Sequence, residues 1–231
     1  MYSGRVDRSE QKATAQKAYN NNHIITDLAK EPDMKKVDVI DSIRSIDELL
    51  SYADSLGEIY QQKDDINKAG YITLQPNMGI EKYGYSSHHL FPHTDRSNME
   101  NPPDIAILWC EKSAKHGGDS TVLDAEEYLL PLLKKANFSA IFASENSPER
   151  IEKPLYDAKN NTFRFRNDDF IFFPPSKLHT FSKLIDIIKK NQVALPIKDG
   201  QALVIDNRRM LHGRQSFIGD RIMHRVLVHR R

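Results

Sequence analysis

His93-Thr94-Asp95 places an imidazole and a carboxylate two residues apart. On an extended strand, residues i and i+2 project from one face, so this pair would present two metal-ligand types side by side. His212, in the run Asp206-Asn207-Arg208-Arg209-Met210-Leu211-His212-Gly213-Arg214, is the candidate for a third ligand from a distant part of the chain. Two histidines and one carboxylate form a facial triad that leaves three positions open on an iron(II) ion, two for a chelating co-substrate and one for dioxygen. The same donor set also suits zinc, as in a hydrolase. Downstream, Asp220-Arg221-Ile222-Met223-His224-Arg225 carries two guanidinium groups four residues apart. A guanidinium takes a carboxylate through two parallel charge-assisted hydrogen bonds, so arginines beside such a metal site point to an anionic ligand. Between the two halves of the triad lies His116-Gly117-Gly118-Asp119-Ser120-Thr121, where paired glycines permit a tight turn and Ser120 or Thr121 offers a hydroxyl.

Elements must position these groups. Ser45 to Gly57 reads as a helix: Ser45 can cap, Glu48 completes a capping box, Ile46, Leu49, Leu50 and Ala53 share a face, and Gly57 stops it. Leu123 to Asn137 reads as a second helix capped by Asp124, and Thr180 to Asn191 as a third. Four strand-like runs lie between and after them: 105–110, 161–166, 201–206 and 222–228. The strand-rich second half with a few helices suggests a β-sandwich or barrel with helices outside. His212 follows directly on the run 201–206, where Asn207 and Arg208 read as structural support for its loop. Tyr83, Tyr85, His88 and His89, just upstream of the triplet, are pocket-lining candidates, although such residues are more often simple strand packing.

At 231 residues, the chain is longer than a usual domain and shorter than two, which fits one domain over 36–231, preceded by a polar stretch (1–35) read as a flexible arm or lid. Thirty-three basic side chains against 32 acidic ones leave a net charge of +1, which argues against a general nucleic-acid surface. The balance is uneven, because residues 201–231 carry seven arginines and two aspartates. A basic nucleic-acid patch is one reading of that excess, and a carboxylate-binding site is the better one. No apolar run approaches the ~20 residues of a membrane helix, and the N-terminus lacks the apolar core of a signal peptide. The single cysteine, Cys110, excludes an internal disulfide or thiolate cluster and is expected to be a buried small hydrophobe. A reducing, cytoplasmic setting is the expectation, and any metal must rest mainly on His, Asp and Glu.

An H-x-D triplet alone arises by chance in a chain of this composition, so the weight lies in the joint order of the blocks. H-T-D, then G-G-D-S, then D-N-R-R-x-L-H-G-R, then D-R-I-M-H-R resembles the iron(II)/2-oxoglutarate-dependent oxygenases of the taurine dioxygenase and clavaminate synthase-like group. The resemblance runs from about His93 to Arg225. It implies a mainly β fold with flanking helices, a double-stranded β-helix or jelly roll. It implies His93, Asp95 and His212 as iron ligands, Arg221 as the anchor for the distal carboxylate of 2-oxoglutarate, and Arg225 as a second arginine near co-substrate or substrate. Ser120 stands where the family usually has a threonine that touches 2-oxoglutarate, with Thr121 the alternative. The implied reaction consumes O2 and 2-oxoglutarate, releases succinate, and most often hydroxylates an unactivated C–H bond. A small amino-acid-like substrate, free or carrier-tethered, is expected first, and a small sulfonate or other organic acid second. The chain departs from the family in a short span between Asp95 and His212 and an abbreviated N-terminal portion. A non-catalytic jelly-roll binding module is the rival from another class.

Overall fold

Ile105, Ile107 and Trp109 point to one side of their strand and Ala106, Leu108 and Cys110 to the other, yet all six are buried. A strand covered on both faces loses the polar–apolar alternation of a half-exposed one. It therefore sits in the middle of a layered fold. The computed structural model describes residues 36–62, 68–76, 83–144 and 147–231. The expected arm or lid, residues 1–35, lies outside the described residues.

β1 (Val37–Ile40) leads into α1 (Ile46–Leu56), which runs directly into β2 (Gly57–Ile59). β3 (Ile72–Leu74), β4 (Leu90–His93), β5 (Ile105–Lys112), β6 (His116–Gly117) and β7 (Ser120–Asp124) follow. Next come α2 (Ala125–Tyr128), α3 (Leu130–Ala136), β8 (Ser139–Ser144), β9 (Ser147–Pro154), β10 (Tyr156–Asp157), β11 (Thr162–Phe163) and β12 (Ile171–Phe172). The chain closes with α4 (Leu178–Asn191), β13 (Val193–Leu195), β14 (Ala202–Asp206), β15 (Met210–Arg214), β16 (Phe217–Ile218) and β17 (Ile222–Arg230).

Two antiparallel sheets form the body. The larger has the order β1-β14-β5-β17-β2, with β3 also paired to β17; the smaller is β13-β7-β15-β4. Between them lies an apolar layer including Leu108, Val122, Leu203, Met210, Met223 and Leu227. α1 covers the far face of the large sheet through Leu49 and Ala53. The helices after β7, together with α4, cover the far face of the small sheet, against Leu123 and Leu211. Each sheet is thus buried on both sides, and the arrangement is the expected jelly roll with flanking helices.

The local reasons agree with the sequence at some points and differ at others. Ser45 caps α1 by accepting from the Glu48 N–H (3.2 Å), but the Glu48 carboxylate accepts from the Arg44 N–H rather than from Ser45. Gly57 ends α1 in an extended conformation, and glycine is required there because a Cβ would lie 2.0 Å from the His229 carbonyl oxygen of β17. The single helix expected over 123–137 is two. Asp124 does cap, accepting from the Glu126 and Glu127 N–H groups, but Leu123 and Asp124 belong to β7. Pro131 then breaks the helix, since it has no N–H to continue the ladder. The strand expected over 161–166 pairs only at Thr162–Phe163. Beyond that its backbone bonds leave the ladder: the Phe165 N–H donates to Thr94 Oγ1 (3.0 Å), and the Phe165 carbonyl accepts from the Thr94 N–H (2.9 Å). Those bonds hold the residue between His93 and Asp95. Cys110 is buried as expected, and burial pushes its thiol up to about 11.

Candidate functional site

β7 and β15 pair with Val122 opposite His212 and Ser120 opposite Arg214, so these four side chains share a face. That face looks between the sheets, because Val122 and Met210 belong to the apolar layer there. Leu123 and Leu211 take the opposite face. His212 therefore sits within a strand and not on a loop after β14. Its strand was hard to recognise because the inward face turns polar at His212 and Arg214, which interrupts the apolar alternation. β15 also approaches β4 closely, with His212 opposite His93. Gly213 makes this possible: a Cβ there would lie 2.4 Å from the Leu90 carbonyl oxygen and 2.9 Å from Pro92 N and Thr121 Oγ1.

Asp95 does not share a strand with His93. β4 ends at His93, and Asp95 lies in the following turn, whose next residue, Arg96, has φ +56°. Two clasps return its carboxylate to the cavity. Thr94 is bonded to Phe165 as described. The Asp95 N–H donates to Asn207 Oδ1 (2.8 Å), while Asn207 Nδ2 donates to the carbonyls of Asp95 (3.1 Å) and Pro103 (2.8 Å). Asn207 is buried in a turn tied by Asp206, which accepts from the Arg208 and Arg209 N–H groups. So Asn207 braces the aspartate rather than the histidine it precedes.

One ligand atom from each of His93, Asp95 and His212 lies within 4.8 Å of the others. His212 Nε2 is 3.3 Å from Asp95 Oδ2, and His93 Nε2 is 3.9 Å from Asp95 Oδ1. His93 Nδ1 donates to the Phe91 carbonyl (3.1 Å), which assigns its proton and leaves Nε2 with a lone pair facing the cluster. Asp95 Oδ2 is buried without a hydrogen-bond partner. Desolvation pushes the His93 imidazole down to about 4, with His212 adding to the effect. Burial acts to raise the Asp95 carboxyl, but Arg225 and then His212 outweigh it and hold it well below the usual carboxylate range. At neutral pH the cluster is a neutral imidazole beside an ionised carboxylate with an unsatisfied oxygen. That is the protonation state a divalent cation requires.

A cavity opens on this cluster. Leu74, Leu90, Leu108 and Met223 supply apolar wall, while Ser120, Arg214, Arg221 and Arg225 supply polar wall. Ser120 lines it; Thr121, one residue on, faces away toward Gly213. Arg221 and Arg225 both reach the cavity, but their surroundings differ. The Arg225 guanidinium donates to Asp95 Oδ1 (2.6 Å), and its Nε and Nη2 donate to Gln62 Oε1. Arg221 is buried, has no ion-pair partner among the described residues, and is pushed down to about 10 by desolvation. His224, between them, faces the other side of β17, where it stacks on Trp109 and bonds Glu111 (2.6 Å). His88 and His89 are exposed and do not line the cavity, nor does Tyr85; the Tyr83 side chain lies outside the described residues.

Three contributors escaped the sequence reading as site residues. Asn207 was read as support for the wrong neighbour. Arg214 carried a signal only in following His-Gly. Gln62 carried none, because it is an isolated glutamine whose partner lies 163 residues away.

The described residues thus form a jelly roll that brings a His-x-Asp…His cluster of possible metal ligands beside a buried arginine with no ion-pair partner among them. The family model for the taurine catabolism dioxygenase TauD, TfdA family matches residues 35–183 and 145–227, and the chain belongs to that family. It is 25% identical over 174 residues to the gamma-butyrobetaine dioxygenases of Homo sapiens and Pongo abelii, an alignment covering 62% of this chain and 44% of each relative. The chain thus spans less than half the length of these relatives. Among solved structures, the non-heme iron oxygenase OrfP in complex with Fe and alpha-ketoglutaric acid is similar with a TM-score of 0.64 and 22% identity, over 79% of this chain and 63% of that one. Asparagine oxygenase in complex with Fe(II), a hydroxyasparagine and succinate gives 0.69 and 16%, over 95% and 79%. At these identities the structural likeness establishes the fold.

Proposed function

We propose that this chain is an iron(II)- and 2-oxoglutarate-dependent dioxygenase that hydroxylates an unactivated C–H bond of a small amino-acid-like substrate, free or carrier-tethered. The observation that carries the reading is the juxtaposition of an ionised, half-satisfied Asp95, two histidines and a buried Arg221 without a counter-ion on one cavity. His93 Nε2, His212 Nε2 and Asp95 Oδ2 are the atoms that would hold the iron. Bound there with 2-oxoglutarate and O2, iron supplies an oxidant strong enough for an unactivated C–H bond, with 2-oxoglutarate decarboxylated to succinate.

The protein's own part is positional. Arg221 binds the distal carboxylate of 2-oxoglutarate through its fork of donors, in a desolvated setting where that pairing is strong. Ser120 adds a hydroxyl on the same wall. Arg225 holds Asp95 Oδ1, so Asp95 offers its other oxygen as a single-atom ligand. The apolar side chains of Leu74, Leu108 and Met223 exclude water and orient the carbon skeleton of the substrate. The OrfP and asparagine oxygenase complexes carry hydroxylated arginine and asparagine, which supports the amino-acid-like class. The single cysteine fits a cytoplasmic setting, and no described helix is long and apolar enough to cross a membrane.

Anaerobic addition of iron(II) and 2-oxoglutarate should give a visible metal-to-ligand charge-transfer band. Its absence from folded protein would overturn the proposal in favour of a zinc site or a non-catalytic module. Asp95→Ala should abolish both the band and succinate release. Arg221→Ala should keep iron binding and raise the 2-oxoglutarate requirement; an effect confined to the prime substrate would exchange the roles of Arg221 and Arg225.

A further inference from the structure

Arg214 is 5% exposed, lines the cavity two residues after His212, and has no ion-pair partner among the described residues. Its guanidinium bonds backbone instead: Nη1 donates to the Gly84 carbonyl (3.3 Å), and Nη2 to those of Ser86 (2.7 Å) and His88 (2.5 Å). We propose that Arg214 is a positioning residue for the anion-binding end of the cavity, clamping the 84–88 segment and the Phe217 ring so that together they present Arg221.

Residues 86–88 form no helix or strand, so their carbonyls need partners from elsewhere. Arg214 supplies two of these bonds, to Ser86 and His88, and a third to Gly84, all from one planar group, which a lysine ammonium cannot do in the same geometry. The segment matters to the cavity because Gly84 forms part of its wall. A second tie runs from the Phe217 N–H to the Ser87 carbonyl (3.0 Å). The Phe217 ring in turn carries both guanidinium groups, Arg214 at 4.8 Å and Arg221 at 5.6 Å from its centroid. Segment, ring and two arginines are therefore one packed unit. The charge of Arg214 stays uncompensated, since its partners are neutral carbonyls, and it adds to the positive potential at Arg221. A dicarboxylate end-on to this wall relieves both. This inference rests on the reading that Arg221 takes the carboxylate of 2-oxoglutarate.

The test uses the full chain with Arg214→Ala and Arg214→Lys. Hydrogen exchange across residues 85–89 should rise about tenfold or more in both variants, while exchange in β14 is unchanged. In an anaerobic titration read by the charge-transfer band, 2-oxoglutarate affinity should fall about tenfold in Arg214→Ala and by less in Arg214→Lys, which keeps the charge; iron(II) affinity should move less than about threefold. Millimolar guanidinium ion should return Arg214→Ala toward wild-type exchange. Unchanged exchange over 85–89, or unaltered 2-oxoglutarate affinity despite a loosened segment, would overturn the proposal. If Arg214→Ala does not fold, Arg214→Lys carries the same comparison. If the wild type shows no 2-oxoglutarate-dependent band, the functional reading fails, and the exchange measurement still decides the clamp.

Discussion

Replacing Arg225 with methionine removes the cation that holds Asp95 while keeping most of the packing volume. Arg225 and Asp95 make a 2.6 Å contact, with side chains 15% and 5% exposed. At an effective dielectric near 20 and a charge separation of about 4 Å, their attraction is about 4 kcal/mol. Removing one partner of such a pair costs about 3–5 kcal/mol, because the remaining charge is buried alone. For a chain of this size that corresponds to a fall in Tm of roughly 10 °C, at about 2–4 °C per kcal/mol. The loss of stability on acidification should also weaken. In the wild type the Asp95 carboxyl lies below its unfolded value, so its contribution is present at neutral pH and lost on acidification. Without Arg225, burial is opposed only by His212 and His93, so the carboxyl rises and less of its contribution is lost on acidification. Urea unfolding of metal-free protein from pH 7 down to about 3, below the unfolded carboxyl value, measures both effects. Adding Asp95→Asn to Arg225→Met should recover at least half of the loss, since no unpaired charge remains. A cost below about 1 kcal/mol, or strict additivity of the two substitutions, would refute the electrostatic account of this site.

Gly213→Ala should destabilise the fold by about 3 kcal/mol, because the new Cβ meets the fixed backbone of β4 at Leu90 and Pro92; calorimetric iron(II) binding should be lost at temperatures where circular dichroism still shows folded protein. Asn207→Ala removes three buried hydrogen bonds around Asp95 and should cost about 3 kcal/mol, with iron(II) affinity about tenfold weaker; wild-type metal affinity in this variant would contradict its bracing role. In metal-free protein, His93 at about 4 against an unfolded value near 6.5 means the unfolded chain binds more protons in that window, so roughly 3 kcal/mol should be lost as pH falls from 6.5 to 4. His93→Gln should flatten this dependence, and an unchanged slope would reassign it.

Residue chemistry and local periodicity were legible directly from the chain. The donor types for a metal, the carboxylate-seeking arginines, the cap at Ser45, the cap at Asp124 and the apolar strand 105–110 are all consequences of side-chain type at short spacing. Such signals survive in sequence because the interacting groups are neighbours along the chain or repeat with a fixed period. The tertiary structure decided what depends on contacts between distant segments. Strand pairing between β7 and β15 sends Ser120 inward and Thr121 outward. A strand 163 residues away gives Gln62 its arginine, and a turn 112 residues away gives Asp95 its backbone clasp. Arg225 and Arg221 are equivalent as residue types. The resemblance gave them different roles, and folding supplies the physical difference, by setting one against the Asp95 carboxylate and leaving the other buried with its charge available to a ligand.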